Sequence, residues 1–145
     1  MSESHGYYIS SIYRHLQIYL NNKFSNLGFG SGQYLFLKHI AQNEGIYQKD
    51  LSERLAIDKA TTAKAVGKLT TLGYITQKQN IEDKRFYNLY ITEKGCEVIP
   101  EIKTILKGTR TILQRGMSSD ECDKSLKLLD LMLNNIIYEV KERQC

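Results

Sequence analysis

Apolar side chains recur at steps of three and four residues along most of the chain, which is the spacing of an amphipathic helix. This pattern predicts a first helix over residues 6–27, and glycines at positions 28, 30 and 32 then interrupt it. A second helix is predicted to begin after an N-cap at Ser31 and to end at residues 43–45. The beginning of the chain is therefore predicted to form two helices joined by a glycine-rich turn.

The middle of the chain predicts two further short helices, over residues 48–55 and 59–72. Residues 56–58 form the turn between them, and Asp58 is the predicted N-cap of the second helix. Gly73 stands where a C′ glycine ends a helix. Two short helices joined by a three-residue turn are typical of a helix-turn-helix.

Two strands are predicted next, over residues 74–79 and 86–91, because both segments are rich in aromatic and β-branched side chains. The charged segment between them, residues 80–85, is predicted to form the tip of a hairpin. Thr92 can cap another helix, for which a bend or a later start near Pro100 stays open. The hairpin is thus the one β element in a mostly helical pattern.

The last helix begins at Ser118 and Glu121, which have the spacing of a capping box. Its apolar stripe is wide and contains Leu126, Leu129, Met132, Leu133, Ile136, Ile137 and Val140. The first and last helices together carry more apolar surface than the small central module can cover, which favours burial against a second copy of the chain. The alternative is that these two helices pack on each other within one monomer.

Positive charge is concentrated in one stretch of the sequence. Six basic residues and two acidic residues lie between positions 59 and 88, and the remaining 14 basic and 14 acidic residues cancel. The whole net charge of +4 therefore comes from the predicted second helix of the helix-turn-helix and the hairpin. A local basic patch on an otherwise neutral protein indicates a polyanionic partner.

The helix over residues 59–72 has two different faces. Thr62, Ala65, Val66 and Leu69 share the face that packs on the core. The opposite face carries small residues, threonines and lysines but no acid, which favours insertion into a DNA groove. The side chains that we predict to contact double-stranded DNA in this module are Gln48, Lys49, Lys59, Thr61, Thr62, Lys64, Lys68, Asp83, Lys84 and Arg85.

The remaining predicted contacts flank this helix. Lys49 and the start of the preceding helix are expected to hold a phosphate, because the first helix of a helix-turn-helix crosses the backbone. Arg85 at the hairpin tip is expected to enter the minor groove, with Asp83 orienting it through a charge-assisted hydrogen bond.

The predicted fold class is therefore mainly α with a small β-hairpin wing: a winged helix-turn-helix with N- and C-terminal dimerisation helices. We predict a single domain over residues 1–145, with residues 31–95 as the DNA-binding module and residues 6–27 and 96–141 as the dimerisation helices.

Residues 47–62 resemble the helix-turn-helix of the multiple-antibiotic-resistance regulator (MarR) family. Residues 72–75, 82–85 and 91–95 resemble the wing of that family and the exit from it, so the resemblance covers about a third of the chain. It implies a homodimer that binds a pseudo-palindromic operator, usually represses transcription and is often released by a small ligand or by thiol oxidation. It also implies that Asp83 and Arg85 form the wing pair.

Two positions depart from the family pattern. Tyr47 stands where a capping Ser or Thr is usual, so the helix that follows is expected to be capped differently. Asn80 and Ile81 replace a common Asp-Pro, which predicts a looser wing.

The three cysteines, Cys96, Cys122 and Cys145, are widely spaced and odd in number, so they predict neither a disulfide framework nor a zinc site. A thiol-based redox-sensing regulator is one alternative function, and no cofactor is predicted. The effector site is unknown. Its candidate lining residues, which the sequence explains better as core or surface groups than as a site, are Tyr13, Arg14, His15, Tyr34 and His39.

Other functional classes are disfavoured. The sequence has no catalytic constellation, so we predict that the protein is not an enzyme. No apolar run is long enough to span a membrane and the N-terminus does not resemble a secretory signal, which predicts a cytoplasmic protein. A winged helix used only for protein–protein contact stays an alternative, although it would not need a recognition face of one charge sign.

Overall fold

The computed structural model describes residues 3–142 and is mainly helical with one small antiparallel sheet, which confirms the predicted fold class. The helices are α1 His5–Phe24, α2 Tyr34–Gln42, α3 Gln48–Leu55, α4 Lys59–Thr71, α5 Glu93–Leu113 and α6 Ser119–Glu142. The strands are β1 Ile46–Tyr47, β2 Ile75–Gln79 and β3 Tyr87–Ile91, and a 3₁₀ turn, Ser25–Leu27, follows α1. The chain divides into two compact units, of which one extends to Ile105 and the other begins at Leu106.

The core of the first unit lies beneath α2, α3, α4 and the sheet. Its fully buried side chains include Phe24, Phe36, Leu37, Ile40, Leu51, Leu69, Ile75 and Leu89. The buried Tyr74 hydroxyl donates a hydrogen bond to the Leu27 carbonyl at 2.6 Å, and this bond ties the start of the hairpin to the end of the first helical segment. The helix-turn-helix and the wing are therefore supported by one shared core.

The sheet has the strand order β1-β3-β2, with all pairs antiparallel. Ile75 pairs with Ile91 and Gln79 with Tyr87, so β2 and β3 form the predicted hairpin. The sequence did not predict β1, whose Ile46 lies opposite Leu89. A strand of two residues is too short for alternation to reveal, and it exists here because it adds a pairing partner to β3.

The second helix begins later than the sequence predicted. Its N-cap is Gln33 rather than Ser31, so the prediction of an N-cap at Ser31 is wrong. The Ser31 amide instead donates to Asn21 Oδ1 at 2.7 Å, and the Gly30 amide donates to Gln33 Oε1 at 2.9 Å. These contacts hold the segment between α1 and α2 in a turn that the spacing of apolar residues does not predict.

The first helix, predicted over residues 6–27, ends at Phe24 and is followed by the 3₁₀ turn Ser25–Leu27. The predicted caps of the later helices are confirmed by their backbone geometry and hydrogen bonds. Gly73 has a φ of 83° after α4, and the Thr92 hydroxyl accepts from the Gly95 amide at the start of α5. Ser118 and Glu121 form the reciprocal pair of a capping box before α6. Helix α5 starts at Glu93 and continues through Pro100, so the later helix start is not observed.

Helix α6 of the second unit exposes an unusual amount of apolar surface. Its exposed large hydrophobic side chains are Leu126, Leu128, Leu129, Leu131, Leu133, Ile136, Tyr138 and Val140. Helix α1 of the first unit shows the same property, with Tyr7, Tyr8, Ile9, Ile12, Tyr13 and Ile18 exposed. Monomeric proteins rarely leave such contiguous apolar faces in water.

Candidate nucleic-acid interface

Helix α4 begins at an Asp58 cap that holds its first turn firmly. Asp58 Oδ1 accepts a hydrogen bond from the Thr61 amide at 2.7 Å, and Oδ2 accepts one from the Thr61 hydroxyl at 2.8 Å. The amide bond, followed by the hydroxyl bond, lowers the pKa of Asp58 below its ordinary value. The cap is therefore a carboxylate at neutral pH, and it stabilises the end of α4 next to α3.

The two faces of α4 differ as the sequence predicted. Ala65, Val66 and Leu69 are buried against the core. The residues exposed on the outer side are Lys59, Ala60, Thr61, Ala63, Lys64, Lys68, Thr70 and Thr71. Gly67 is half-buried, and a Cβ added there would meet open space. The outer face is thus shallow and positively charged, with no carboxylate on it.

The structure buries Thr62, which the sequence predicted to contact DNA. Thr62 is fully buried, and its hydroxyl donates to the Asp58 carbonyl at 2.9 Å. The side chain serves the inner face of the helix, where its hydrogen bond satisfies a polar group that would otherwise be buried without a partner. Thr61 is exposed, and its hydroxyl donates a hydrogen bond to Asp58. The side chain therefore offers DNA a hydrogen-bond acceptor and a methyl group.

The tip of the wing is organised by Asn80. Its Oδ1 accepts hydrogen bonds from the Glu82 and Asp83 amides, both at 2.9 Å, and its Nδ2 donates to Asn88 Oδ1 at 3.1 Å. Gln79 Nε2 also donates to the carbonyl of the exposed Lys84 at 2.7 Å. Asn80 therefore supplies the bonds that hold this turn, at the position where the sequence predicted a looser wing.

Arg85 lies at the wing tip and is paired with Asp83. Its Nε donates to Asp83 Oδ1 at 3.0 Å and its Nη2 donates to Oδ2 at 2.7 Å, which confirms that Asp83 orients the guanidinium. This pairing, with the hydrogen bond from the Arg85 amide as a smaller cause, lowers the pKa of Asp83. The Arg85 side chain is nevertheless 83% exposed, so its outer edge is free to meet a ligand.

A basic cleft of about 220 Å³ opens between the start of α3, the start of α4 and the wing. Its lining residues are Gln48, Lys49, Ser52, Lys59, Thr62, Arg85, Phe86 and Tyr87. The fold thus brings together Gln48, Lys49, Lys59 and Arg85, which sequence reasoning had selected from three separate elements. Lys64, Lys68 and Lys84 lie outside this cleft.

Sequence reasoning missed the residues that form the wall of the cleft. The Ser52 hydroxyl donates to the Lys49 carbonyl at 2.7 Å, and the Phe86 ring packs beside the Tyr47 ring with centroids 5.5 Å apart. The Arg85 guanidinium also lies 5.8 Å from the centroid of Phe86. Phe86 and Tyr87, at the C-terminal end of the hairpin loop, were the available signal, but only the β1–β3 pairing brings Tyr47 next to them.

The candidate effector residues make local contacts. Tyr34 stacks on Phe24 with centroids 5.2 Å apart, and burial raises its pKa. The imidazoles of His15 and His39 hydrogen-bond to carbonyls one turn earlier in their own helices. Cys96 is exposed and Cys122 is half-buried, whereas Cys145 lies outside the described residues.

The comparisons with known proteins agree with this geometry. The MarR family model matches residues 27–85, which include α2, α3, α4 and most of the wing. The chain is also 33% identical over 128 residues to the uncharacterized HTH-type transcriptional regulator YybA of Bacillus subtilis, covering 88% of this chain and 85% of YybA. This protein belongs to the MarR family. It is therefore a transcription regulator with a winged helix-turn-helix, and not an enzyme.

Solved structures of MarR proteins superpose on nearly the whole chain. A MarR protein from Peptoclostridium difficile has a TM-score of 0.90 at 33% identity, covering 96% of this chain and 91% of that protein. A MarR family transcriptional regulator from Listeria monocytogenes, complexed with 26mer DNA, has a TM-score of 0.87 at 29% identity, covering 97% and 96%. Among residues 3–142, no helix has the length and apolar character needed to cross a bilayer.

Proposed function

We propose that this MarR family regulator binds a pseudo-palindromic DNA operator as a homodimer and represses transcription from it. The observation that carries this proposal is the outer face of α4, which exposes Lys59, Lys64 and Lys68 and no acid. The cleft beside it adds Lys49 and Arg85. A helix that can enter a DNA groove and carries only positive charge on its exposed face fits a phosphate polymer better than it fits a protein partner.

The DNA contacts follow from the position of each cation. Helix α4 enters the major groove, where Lys64 and Lys68 reach guanine edges or phosphates. Lys49 and Lys59 hold a backbone phosphate in the cleft. Arg85, oriented by Asp83, reaches the minor groove from the wing tip. A Listeria monocytogenes relative that is complexed with 26mer DNA supports a DNA partner for this chain.

The homodimer rests on the exposed apolar faces of α1 and α6. Both helices expose large apolar side chains to water. In a twofold dimer, the same two helices of a second copy of the chain would cover them. A twofold axis would then present two α4 helices to two half-sites about 34–36 Å apart, which is one turn of B-DNA. We further propose a small-molecule effector that releases the operator, and a cytoplasmic location, where a DNA partner is available.

Selection of duplexes from a random-sequence pool, followed by footprinting, tests the operator. The expected product is an inverted repeat with half-sites about 10 base pairs apart, protected symmetrically on both strands. Enrichment of a single asymmetric site would contradict the homodimer, and no enrichment at all would contradict sequence-specific binding. Treatment with peroxide before footprinting tests the redox alternative, which requires protection to be lost on oxidation of Cys96 or Cys122.

A further inference from the structure

A second concave surface lies beside the C-terminal half of α4. The segment over residues 28–33, together with Asn21, Ser25 and Lys68, encloses an open volume of about 570 Å³. None of its lining residues is acidic, and Lys68 is its only formal charge. It is separate from the basic cleft at the start of α4, because the two surfaces share no lining residue.

The loop in this second surface is held in one shape by side chains of its neighbours. Asn21 accepts a hydrogen bond from the Ser31 amide, and Gln33 accepts one from the Gly30 amide. A Cβ added at Gly30 would overlap the Asn21 carboxamide, so the loop approaches α1 as closely as glycine allows. The polar groups of the loop are therefore fixed relative to α1 before any ligand arrives.

The two surfaces lie on opposite sides of α4, and the thickness of the helix matches a dimension of DNA. Lys59 lines the first cleft and Lys68 lines the second, and both belong to α4. Nine residues make about two and a half turns of α-helix, so these two lysines lie on opposite sides of α4, which with its side chains is about 10–12 Å across. The major groove of B-DNA is about 12 Å wide, and a sugar-phosphate backbone runs along each of its edges. The two surfaces can thus face the two backbones while the exposed side chains between them face the bases.

We infer that residues 28–33 and Lys68 form a second contact for the DNA backbone, on the strand across the major groove from the strand held by the first cleft. This inference rests on the proposed function and extends it from one phosphate contact per recognition helix to two. It assigns Lys68 to phosphate rather than to a base edge. It also gives the loop between α1 and α2 a role in binding.

Charge substitutions at Gly32 test the inference. A Cβ at this position meets nothing within 4 Å, the residue is exposed, and its backbone is not in the left-handed region, so aspartate and lysine are both accommodated. We expect Gly32→Asp to weaken and Gly32→Lys to tighten binding of the selected duplex by about two- to fivefold per protomer, as for one exposed ion pair. Lys68→Ala should lower the log–log salt slope by about 0.9 per protomer.

Gln42 provides the matched control, because it is exposed at the C-terminal end of α2, whereas Gly32 lies just before the N-terminal end. Gln42→Asp and Gln42→Lys make the same changes in net charge and should alter affinity by less than about twofold, since salt screens distant charges. Ethylation interference with the wild-type protein should mark phosphates on both strands of each half-site. The inference is overturned if Gly32 variants behave like Gln42 variants while the wild type binds. Failure of the wild type to bind any duplex overturns the proposed function as well.

Discussion

The Asp83 carboxylate and the Arg85 guanidinium are joined side by side, with Nε 3.0 Å from Oδ1 and Nη2 2.7 Å from Oδ2. The pair lies at the tip of a wing whose turn is held by Asn80. An arginine that is already oriented loses less conformational entropy when it binds DNA, so its contact contributes more to the binding free energy. This pairing makes Arg85 the most direct target for mutation.

Arg85→Ala should weaken DNA binding and leave the fold and the oligomeric state unchanged. The side chain is 83% exposed, and its contacts with Asp83 and with the Phe86 ring stay within the wing. We expect the log–log salt slope of binding to fall by about one per protomer, which fluorescence anisotropy with a labelled duplex measures. Sedimentation velocity and circular dichroism provide the controls. Loss of solubility or of the dimer would show that Arg85 is structural instead.

Acid should weaken the fold through Asp58 and Asp83. Hydrogen bonds from Thr61 lower the pKa of Asp58, and the Arg85 side chain lowers the pKa of Asp83, both from an ordinary value of 3.8. Because the folded pKa lies below the unfolded pKa, each carboxylate stabilises the fold above pH 3.8, and this contribution is lost as the pH falls through the folded pKa.

The variant Asp58→Asn isolates one of these contributions. Asparagine is about as good an N-cap as aspartate, so stability near pH 7 should stay close to that of the wild type. Urea unfolding at a series of pH values should then show a smaller loss of stability in acid for the variant. Identical pH profiles for the two proteins would mean that the Asp58 cap contributes nothing to acid sensitivity.

Alanine substitutions at two glycines should change the stability of the fold in opposite directions. A Cβ at the buried Gly95 would overlap the Tyr74 carbonyl and the Ile91 side chain, so Gly95→Ala should destabilise the fold by about 1–3 kcal/mol. Gly67 lies in the middle of α4, and a Cβ added there would meet no atom within 4 Å. Because alanine is the better helix former, Gly67→Ala should stabilise the fold by about 0.5–1 kcal/mol. Urea midpoints of the two variants measure both. An unchanged Gly95→Ala midpoint would show that α5 can shift to make room.

Charges on the apolar face of α6 should break the proposed homodimer. Leu129 and Ile136 are exposed by 52% and 59% and lie seven residues apart, on one side of the helix. We expect the double variant Leu129→Asp/Ile136→Asp to sediment as a monomer, because a dimer would bury two carboxylates on each chain. Asn134→Asp serves as the control, since Asn134 lies on the opposite side of α6. A double variant that remains dimeric would place the interface elsewhere.

The sequence predicted those parts of the fold whose signals are local. Helix α3 was predicted at its observed bounds, and the caps at Asp58 and Ser118 are confirmed because each rests on residues three positions apart. Strand β1 was missed because it depends on pairing with β3, about 43 residues later in the sequence. The start of α2 was misplaced because Asn21 holds the Ser31 amide from another helix.

The candidate site was predictable in its charges but not in its shape. The cations Lys49, Lys59 and Arg85 were selected from the local excess of positive charge and from the motif around them, and the fold brings them to one cleft. Thr62 was selected for its position in the motif, but its hydrogen bond to the Asp58 carbonyl turns its side chain inwards. The second surface around Gly32 could not be predicted, because it depends on how the loop packs against α1 and α4.

The salt dependence of binding by the wild-type protein tests the central claim most directly. The affinity for the selected duplex should be measured by anisotropy from about 50 to 200 mM salt. If Lys49, Lys59 and Lys68 of both protomers bind phosphates, the log–log slope should be at least as steep as about −5, at roughly −0.9 per contact. A slope near zero, or no binding to any duplex at the lowest salt concentration, would contradict the account.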